Sequence, residues 1–291
     1  MTLRHLEIFV AVADQGSMTA ASQKLYISQP TVSQAIMELE RYYGTKLFDR
    51  MAKKLYLTQS GERLLSYARH ITTLVSEMAL QMTQVEAMGI LRVGASATVG
   101  ILFLPQQVKR FQTAVAGVQI QAVVKNTTDI EQQILRNELD IGLIEGDVHS
   151  ADLLVHPFAE DELVIVCGRT HPFYGLRDVE PSTLQDQFYI MREVGSGTRE
   201  LFEYAMAAND LSCQVVWEST SFESIRGAAR ENIGLAVLSK ELVTADLLTG
   251  DLWHISTPFL NLKRKWCVIY HKNKYMTTAM KAFIEDCDNL L

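Results

Sequence analysis

Residues 17–42 read SMTAASQKLYISQPTVSQAIMELERY and decide the fold of the N-terminal region. The stretch contains two helical patterns, each preceded by a serine that can cap a helix, Ser17 and Ser28. Pro30 lies in the first turn of the second pattern, where its missing N–H costs nothing. Only residues 26–27 separate the patterns, so the second helix must turn sharply against the first. This spacing predicts a helix-turn-helix.

The sequence on either side of this stretch completes a small domain. Before it, apolar residues recur at three- and four-residue steps and predict an amphipathic helix that ends near Gly16. After it, residues 46–57 read as a strand-like hairpin with four basic residues, Lys46, Arg50, Lys53 and Lys54. Together these elements predict an all-α-type winged helix-turn-helix over residues 1–58.

The second helix of this motif has one face for the core and one for solvent. Val32, Ile36 and Leu39 share a side and are expected to be buried. The opposite side carries small or neutral side chains, most of which can form hydrogen bonds: Gln29, Pro30, Ser33, Gln34 and Met37. In a major groove, Gln pairs with adenine and Ser with several base edges. The pattern therefore predicts a face that reads duplex DNA, with the hairpin cations on phosphate oxygens.

The charge distribution agrees with this interpretation. Residues 1–66 contain eight Lys and Arg residues against six Asp and Glu residues, although the whole chain has a net charge of −7. The mild positive charge thus lies where DNA is expected, and the acidic remainder discourages non-specific coating of DNA. A merely solvated hairpin remains the alternative for the basic run.

The same region matches a known sequence pattern. The matching residues are Leu6–Phe9, Gly16–Ser22, Leu25, Ser28–Gln34, Leu39–Glu40, Gly44, Leu47–Arg50 and Leu57–Gly61. In these residues the chain resembles the LysR-type transcriptional regulators, strongly over residues 1–65 and by architecture over the rest. It departs from their pattern at Tyr43, where a small aliphatic residue is usual, and at Ser60, where Ala is usual.

The resemblance implies roles for individual residues. The residues that it implies for contact with the bases are Gln29, Pro30, Ser33 and Gln34. Those that it implies for contact with the DNA backbone are Thr31, Arg50 and Lys53 or Lys54. The resemblance also implies a co-inducer bound between two lobes of a C-terminal domain, and dimers that often pair into tetramers.

A long helix is predicted after Thr58, over a linker of residues 59–89. Its apolar positions alternate between four- and three-residue steps, as in a heptad seam: Leu64, Ala68, Ile71, Val75, Met78, Met82 and Val85. Such a seam joins two helices side by side, which predicts at least a homodimer, and a homotetramer is what the LysR resemblance adds. The alternative is a helix that packs on its own domain, because Ala and Met make a soft seam.

The rest of the chain alternates short apolar runs with helical stretches, which is typical of a doubly wound α/β fold. Two such units are expected in an effector domain over residues 90–291: lobe I at about 90–161 and 268–291, and lobe II at about 162–267. The strands Glu162–Gly168 and Lys265–His271 are predicted to cross between the lobes. The arrangement resembles periplasmic binding proteins, as the LysR resemblance also implies.

Hydroxyl side chains cluster at the predicted strand ends of this domain. In an open α/β sheet, ligands bind at the carboxyl ends of strands, where helix N-termini offer free N–H groups. Three such ends supply the candidate effector residues Ser96, Thr98, Thr127, Thr128, Ser196 and Thr198. Gly195 and Gly197 allow the backbone to curl its N–H groups toward an anion, and Arg192 or Arg199 can add charge. These features predict a small anionic effector. Plain helix capping remains the alternative for each residue singly.

An α/β enzyme is one alternative function, because 291 residues bury ample core. The sequence, however, has no Gly-x-Ser-x-Gly elbow, Gly-rich phosphate loop or His-Glu-x-x-His pair. Four cysteines lack Cys-x-x-Cys spacing and the histidines are scattered, so neither a metal nor a cofactor is expected: Cys167, Cys213, Cys267 and Cys287. Buried thiols are the default, and a redox pair stays open.

A solute receptor that only captures a ligand is the other alternative. Glu7 and Asp14 interrupt the N-terminal apolar stretch, so no export signal is expected, and no run approaches the roughly 18 apolar residues that cross a bilayer. With scattered cysteines, the cytoplasm is the expected compartment. The favoured hypothesis is a sequence-specific transcriptional regulator. In it, the effector closes the lobes, the two DNA-reading domains shift on the promoter, and bending and contact with RNA polymerase change.

Overall fold

A computed structural model describes residues 1–51, 54–83 and 89–288. The side chains of Arg50, Met51, Lys54 and residues 80–83 lie outside this description. The chain divides into two compact units. Unit 1 comprises Met1–Ala87 with the short segments Leu135–Glu138 and Asn273–Tyr275, and unit 2 comprises Met88–Ile134, Leu139–Lys272 and Met276–Leu291.

Unit 1 contains the predicted winged helix-turn-helix. Its elements are α1 (Leu3–Gln15), α2 (Met18–Lys24), α3 (Gln29–Tyr43), β1 (Phe48–Met51), β2 (Lys54–Leu57) and α4 (Gln59–Thr83). Gly16 ends α1 in the left-handed conformation, with φ 60°. Ser17 then starts α2 by accepting the N–H of Ala20 at 3.3 Å. In the turn before α3, Tyr26 also adopts a positive φ of 53°, which reverses the chain within the predicted two residues.

The core of unit 1 joins the apolar faces of α1 and α3 to the hairpin. Phe9, Val32 and Leu39 are fully buried, and Phe9 packs against Phe48 with ring centroids 5.3 Å apart. The residues at three- and four-residue spacing therefore form the core that the periodicity predicted.

The heptad positions of α4 differ in how deeply they are buried. Leu64 and Ala68 pack into the core of unit 1, as the alternative interpretation of this helix proposed. Ile71 and Met78 are 42% and 56% exposed, so they lie outside that core. The last two positions fall outside the described side chains: Met82 and Val85. A partner helix on the exposed positions stays a prediction.

Unit 2 is an α/β structure. The strands after α4 are β3 (Ile90–Ser96), β4 (Gln119–Lys125), β5 (Ile141–Glu145), β6 (Leu153–Gly168), β7 (Phe188–Arg192), β8 (Gln214–Ser219), β9 (Leu235–Ser239), β10 (Leu252–Ile255) and β11 (Lys263–His271). The helices are α5 (Ala97–Leu102), α6 (Leu104–Ala114), α7 (Thr127–Leu135), α8 (Pro181–Leu184), α9 (Gly197–Ala207), α10 (Phe222–Arg230), α11 (Lys240–Thr249) and α12 (Thr278–Asp288). Within the described residues the strands form one sheet in the order β4-β3-β5-β11-β6-β9-β7-β8, and β10 pairs with β6.

Two lobes share this sheet. In lobe I, β3 runs parallel to β4 and β5, and in lobe II, β7 runs parallel to β8 and β9. The long strands β6 and β11 pair with each other antiparallel and connect the lobes, since β11 also pairs with β5 and β6 with β9. Each lobe has its own core, with Phe111 and Phe283 in lobe I and Tyr189 and Phe202 in lobe II.

The connecting strands differ from the prediction at their starts. β6 has 16 residues and begins at Leu153, so the predicted crossing Glu162–Gly168 is only its second half. Residues 153–155 are apolar, but His156 and Pro157 interrupt the run, and Pro within a sequence argues against a central strand. β11 likewise begins at Lys263 rather than Lys265. The sequence analysis also did not predict α8, α11 and β10.

Candidate functional site

The first turns of α3 carry the residues predicted to read DNA. Ser28 caps the helix, because its Oγ accepts the N–H of Thr31 at 3.3 Å. The inner face is buried as predicted, at Val32, Ile36 and Leu39. On the outer side, Ser33 is half-buried and the other candidates are exposed: Gln29, Pro30, Thr31 and Gln34. The outer side of one helix therefore carries four exposed candidates and one that is half-buried.

Glu38 adds an anion to this face that the sequence analysis did not foresee. It accepts a hydrogen bond from Gln34 Nε2 at 2.7 Å, and His5 Nε2 lies 2.8 Å from its other oxygen. These hydrogen bonds, that of Gln34 first, lower the pKa of Glu38. One of the two N–H donors of the Gln34 amide is thus used within α3.

The hairpin after α3 pairs in the predicted antiparallel manner, from Phe48 opposite Leu57 to Met51 opposite Lys54. Of the predicted phosphate ligands, Lys53 lies outside the described residues, and so do the side chains of Arg50 and Lys54. Their contact with DNA stays a prediction.

Lys46, the other cation of the predicted hairpin, is exposed but paired. Its Nζ lies 2.6 Å from Glu40 Oε2, and Glu40 Oε1 also accepts the N–H of Leu47 at 3.0 Å. Glu40 thus fixes the chain between α3 and β1 and balances the charge of Lys46.

In unit 2, two of the predicted cleft residues meet at a buried arginine that the sequence analysis missed. Thr98 in lobe I and Thr198 in lobe II are 2% and 3% exposed. The guanidinium of Arg264, on β11, donates to Thr198 Oγ1 at 2.9 Å and to Thr98 Oγ1 at 3.2 Å. One cation therefore contacts hydroxyl groups of both lobes.

Asp161, on β6, holds this guanidinium in place. Its Oδ2 accepts from Arg264 Nε at 2.8 Å and lies 2.6 Å from Nη2. Its Oδ1 accepts from Ser239 Oγ at 2.8 Å and from the N–H of Glu162 at 2.9 Å. A buried ion pair is tolerated when further hydrogen bonds satisfy both charges, as they do here.

Arg264 escaped sequence analysis because it lies within a charged run, Lys263 to Lys265, that reads as solvated. Along β11, however, Leu262, Arg264 and Trp266 are buried, whereas Lys263 and Lys265 are exposed. Side chains alternate between the two faces of a strand. The apolar residues two positions before and after Arg264 were therefore the signal that this arginine faces inward.

Glu145, at the end of β5, is a second missed residue beside Arg264. It is 1% exposed, and its Oε1 lies 3.9 Å from Arg264 Nη1. Burial raises the pKa of Glu145, while Arg264, Arg192 and hydrogen bonds from Thr98 act in the opposite direction. Within the part of the chain that the structure describes, Glu145 Oε2 has no hydrogen-bond partner.

Two other predicted hydroxyl groups hold backbone segments together. Ser96 Oγ accepts the N–H of Glu145 at 3.2 Å, which ties β3 to the end of β5. Thr127 Oγ1 donates to the carbonyl oxygen of Glu145 and accepts the N–H of Gly197, both at 3.3 Å. Both side chains are buried and shape the strand ends, and Thr127 joins lobe I to the start of α9 in lobe II.

The glycine-rich segment before α9 packs directly on lobe I. The N–H of Thr128 donates to the carbonyl oxygen of Gly195 at 3.1 Å, and Gly195 has a φ of 89°, which favours glycine. A Cβ on Gly197 would lie 2.3 Å from the carbonyl oxygen of Glu145. Ser196, between them, is 2% exposed. The glycines thus permit a close approach of the two lobes.

The two arginines that the sequence offered as charge for an anion are paired nearby. Arg192 makes two hydrogen bonds to Glu193, at 2.8 and 2.9 Å. Arg199 donates to Glu203 at 2.7 Å and to Glu218 at 2.6 Å. The cation that reaches the two threonines comes from β11 instead.

His149 forms another polar link between the lobes. Its Nδ1 lies 3.1 Å from Glu131 Oε1 on α7, and its Nε2 lies 2.6 Å from Glu200 Oε1 on α9. Hydrogen bonds to Glu200 and then to Glu131 raise the pKa of His149. The imidazole thus lies between two carboxylates and links lobe I to lobe II, and its raised pKa favours the protonated form.

The structure also bears on the cysteines, on possible metal ligands and on membrane-spanning helices. Burial raises the pKa of Cys167 and Cys287 to about 12 and that of Cys213 to about 11, so their thiolate forms are disfavoured. Among the described residues, no group of three or more His, Cys, Asp or Glu side chains is placed to hold a metal ion. None of the helices in the described ranges combines the length and apolar character needed to span a membrane.

Sequence profiles of two protein domains match the chain. The LysR substrate binding domain matches residues 85–290, and the bacterial regulatory helix-turn-helix protein, lysR family, matches residues 3–62. The uncharacterized HTH-type transcriptional regulator YeiE of Escherichia coli K12 is 34% identical over 288 residues, which cover 99% of this chain and 97% of YeiE.

Solved structures have the same fold. The CcmR regulatory domain of Synechocystis PCC6803, solved in complex with 2-PG, has 26% identity and a TM-score of 0.64, and the match covers 70% of this chain and 97% of that domain. A full-length OxyR variant from Pseudomonas aeruginosa has 20% identity and a TM-score of 0.69, with 99% and 94% covered.

The matches agree with the predicted architecture and function class. Both domains match in the expected order, and the relatives are named as transcriptional regulators rather than enzymes. The chain belongs to the LysR family of DNA-binding transcriptional regulators, whose activity small effectors control.

Proposed function

We propose that the outer side of α3 reads the promoter or operator duplex of this regulator. In the proposal, the base edges are contacted by Gln29, Pro30, Ser33 and Gln34, and the phosphates by Thr31, Arg50 and Lys53 or Lys54. The support is geometric, because the cap at Ser28 and the buried inner face leave the neutral α3 side chains, from Gln29 to Gln34, on one accessible side. Base-edge contacts provide specificity, and phosphate contacts provide register and affinity.

The effector in this proposal is a small anionic co-inducer bound between the lobes. The observation that carries it is the guanidinium of Arg264, which reaches Thr98 in lobe I and Thr198 in lobe II. Hydrogen bonds in which one partner is charged are stronger than neutral ones, so an oxyanion would gain from this group. The strand and helix ends around this guanidinium contain the other candidates, Ser96, Thr127, Thr128 and Ser196. The 2-PG complex of CcmR gives a precedent for a small ligand in a domain of this fold.

The remaining parts of the proposal concern assembly and coupling. The domains are residues 1–58 for DNA binding, 59–89 for the linker helix and 90–291 for effector binding. Exposed positions of α4, Ile71 and Met78, are available for a homodimer, which can pair into a homotetramer. The effector changes the angle or spacing of two DNA-reading domains, and with it DNA bending and contact with RNA polymerase in the cytoplasm.

A thermal-shift screen of the full-length protein tests the effector site. Sulfate, phosphate, oxalate and small monocarboxylates serve as probes, since each has oxygen acceptors for a guanidinium. We expect at least one anion to raise Tm, and Thr98→Ala and Thr198→Ala to abolish that rise. Stabilisation that persists in both variants would place the anion elsewhere.

A further inference from the structure

The junction between the lobes contains a buried polar atom that has no hydrogen-bond partner among the described residues. Glu145 is 1% exposed, and its Oε2 has no donor or acceptor at hydrogen-bond distance among the residues the structure describes. An unsatisfied buried polar group destabilises the fold, so native proteins rarely keep one without a role. Its position beside Arg264 and Thr98 places this cost at the proposed effector site.

The charges around Glu145 decide which form of the carboxyl group is compatible with an anion. Arg264 on β11 is paired with Asp161 on β6, and Arg192 on β7 is paired with Glu193. With these four charges balanced, an ionised Glu145 would make the cluster negative and would repel an anion. A neutral Glu145 leaves the cluster balanced and supplies an O–H donor.

We propose that Glu145 selects the effector by staying protonated and donating a hydrogen bond from its free carboxyl oxygen to the bound anion. This inference rests on the proposed anion site between the lobes. The ligand class is a small oxyanion with an unprotonated oxygen toward Glu145 and further oxygens that accept from Arg264 and the threonine hydroxyls. A ligand that places a donor or an apolar group against Glu145 leaves the acid proton unmatched and is rejected.

The proton balance of this complex follows from the pKa of Glu145. Burial raises that pKa, and a bound anion raises it further because it repels the carboxylate form. The proton stays on Glu145 in the complex. Where the free site has lost that proton, binding takes one up from solvent, and affinity then falls about tenfold for each unit of rising pH.

Isothermal titration of the full-length protein with sulfate and oxalate tests this balance, because neither anion titrates between about pH 6 and 9. In buffers of different ionisation enthalpy the wild type should bind without proton release, and its affinity should fall with pH only where it takes up a proton. Glu145→Gln keeps an N–H donor at the same place, so it should bind without the proton uptake that Glu145 causes in the wild type. Glu145→Ala removes the donor and should bind weakly throughout. Glu241→Gln, at an exposed position on α11, is the matched control and should behave as wild type.

Two failures can be told apart. If neither sulfate, oxalate nor any other anion of the thermal-shift screen binds the wild type, the proposed anionic effector is wrong and this inference falls with it. If binding to the wild type releases protons, if Glu145→Gln binds no more tightly than Glu145→Ala, or if Glu145→Gln keeps a proton uptake that the wild type shows, the anion site stands and the role of Glu145 is overturned. The wild-type proton count needs no variant, so poor folding of a variant leaves the test intact.

Discussion

The reading face of α3 and the cleft of unit 2 differ in how the sequence encodes them. The α3 candidates all lie within residues 29–34 of one capped helix and point to solvent or near it. The cleft instead brings together side chains from β5, β6, β11 and the starts of α5 and α9, and nearly all of them are buried. A local site follows from helix periodicity, whereas a non-local site depends on which strands become neighbours.

The two regions also differ in what a substitution should cost. The α3 side chains are neutral and accessible, so replacing them should weaken DNA binding and leave the fold intact. The cleft side chains are buried, charged and hydrogen-bonded to one another, so replacing them should affect both the fold and the ligand. The following predictions test this separation of effects.

Arg264→Met should have the largest effect. It leaves Asp161 buried without its cation, and removing one partner of a buried ion pair costs about 3–5 kcal/mol. Denaturant unfolding should show this loss, and anions should no longer raise Tm. Lys265→Met, at an exposed neighbour on β11, should change the free energy of unfolding by less than about 0.5 kcal/mol. Equal stability of the two variants would mean that the buried pair does not hold the cleft.

The double variant Gln29→Ala, Ser33→Ala should have the next largest effect, and only its DNA binding should change. Specific base contacts are worth about 1–3 kcal/mol each, so operator affinity should fall about 30-fold or more at fixed salt. Fluorescence anisotropy with specific and random duplexes measures the change, and Gln15→Ala, exposed at the end of α1, is the control. Unchanged preference for the specific duplex would remove α3 from base reading.

Gly197→Ala should destabilise unit 2 by about 1–3 kcal/mol, because the new Cβ would lie 2.3 Å from a carbonyl oxygen of lobe I. Gly227→Ala is a matched control on α10, where no heavy atom lies within 4 Å of the new Cβ. That change should stabilise the helix by about 0.5–1 kcal/mol. Thermal melts followed by circular dichroism compare the two, and the same shift for both would argue against close lobe contact.

The His149 link should give the smallest effect, and one that depends on pH. Its folded pKa is raised, so its contribution is fully present below the unfolded pKa of about 6.5 and is lost as pH rises through the folded value. The imidazole is half-exposed, which limits the gain to below about 1 kcal/mol.

Wild type and His149→Gln should therefore differ in Tm at acidic pH and converge at alkaline pH. Glu200→Gln removes the lobe II partner and should lose much of the same increment. A difference that grows with pH would have the wrong sign for this link.

Much of the fold could be predicted from the sequence because its signals are local. The caps at Ser17 and Ser28 and the spacing of Val32, Ile36 and Leu39 fix the helices of unit 1. Apolar runs located most strands of unit 2. The first half of β6 was missed because His156 and Pro157 interrupt its apolar run.

The cleft could be predicted only in part. Thr98 and Thr198 were found because they follow strand ends, but their partner Arg264 is distant in sequence and comes from a run of three basic residues. Glu145 ends a strand, yet nothing local marks it as a buried acid. Both depend on the antiparallel pairing of β11 with β5, which no periodicity in either strand specifies.

A footprint on a duplex that the purified protein selects from a random pool tests the central claim most directly. It should be recorded with and without an anion that stabilises the wild type, and repeated with Thr198→Val, which removes one hydroxyl partner of Arg264. We expect the anion to change the wild-type footprint or bend and to leave that of Thr198→Val unchanged, with equal DNA affinity in its absence. A wild-type footprint that ignores the anion, or a variant that responds to it fully, would contradict effector control through this cleft.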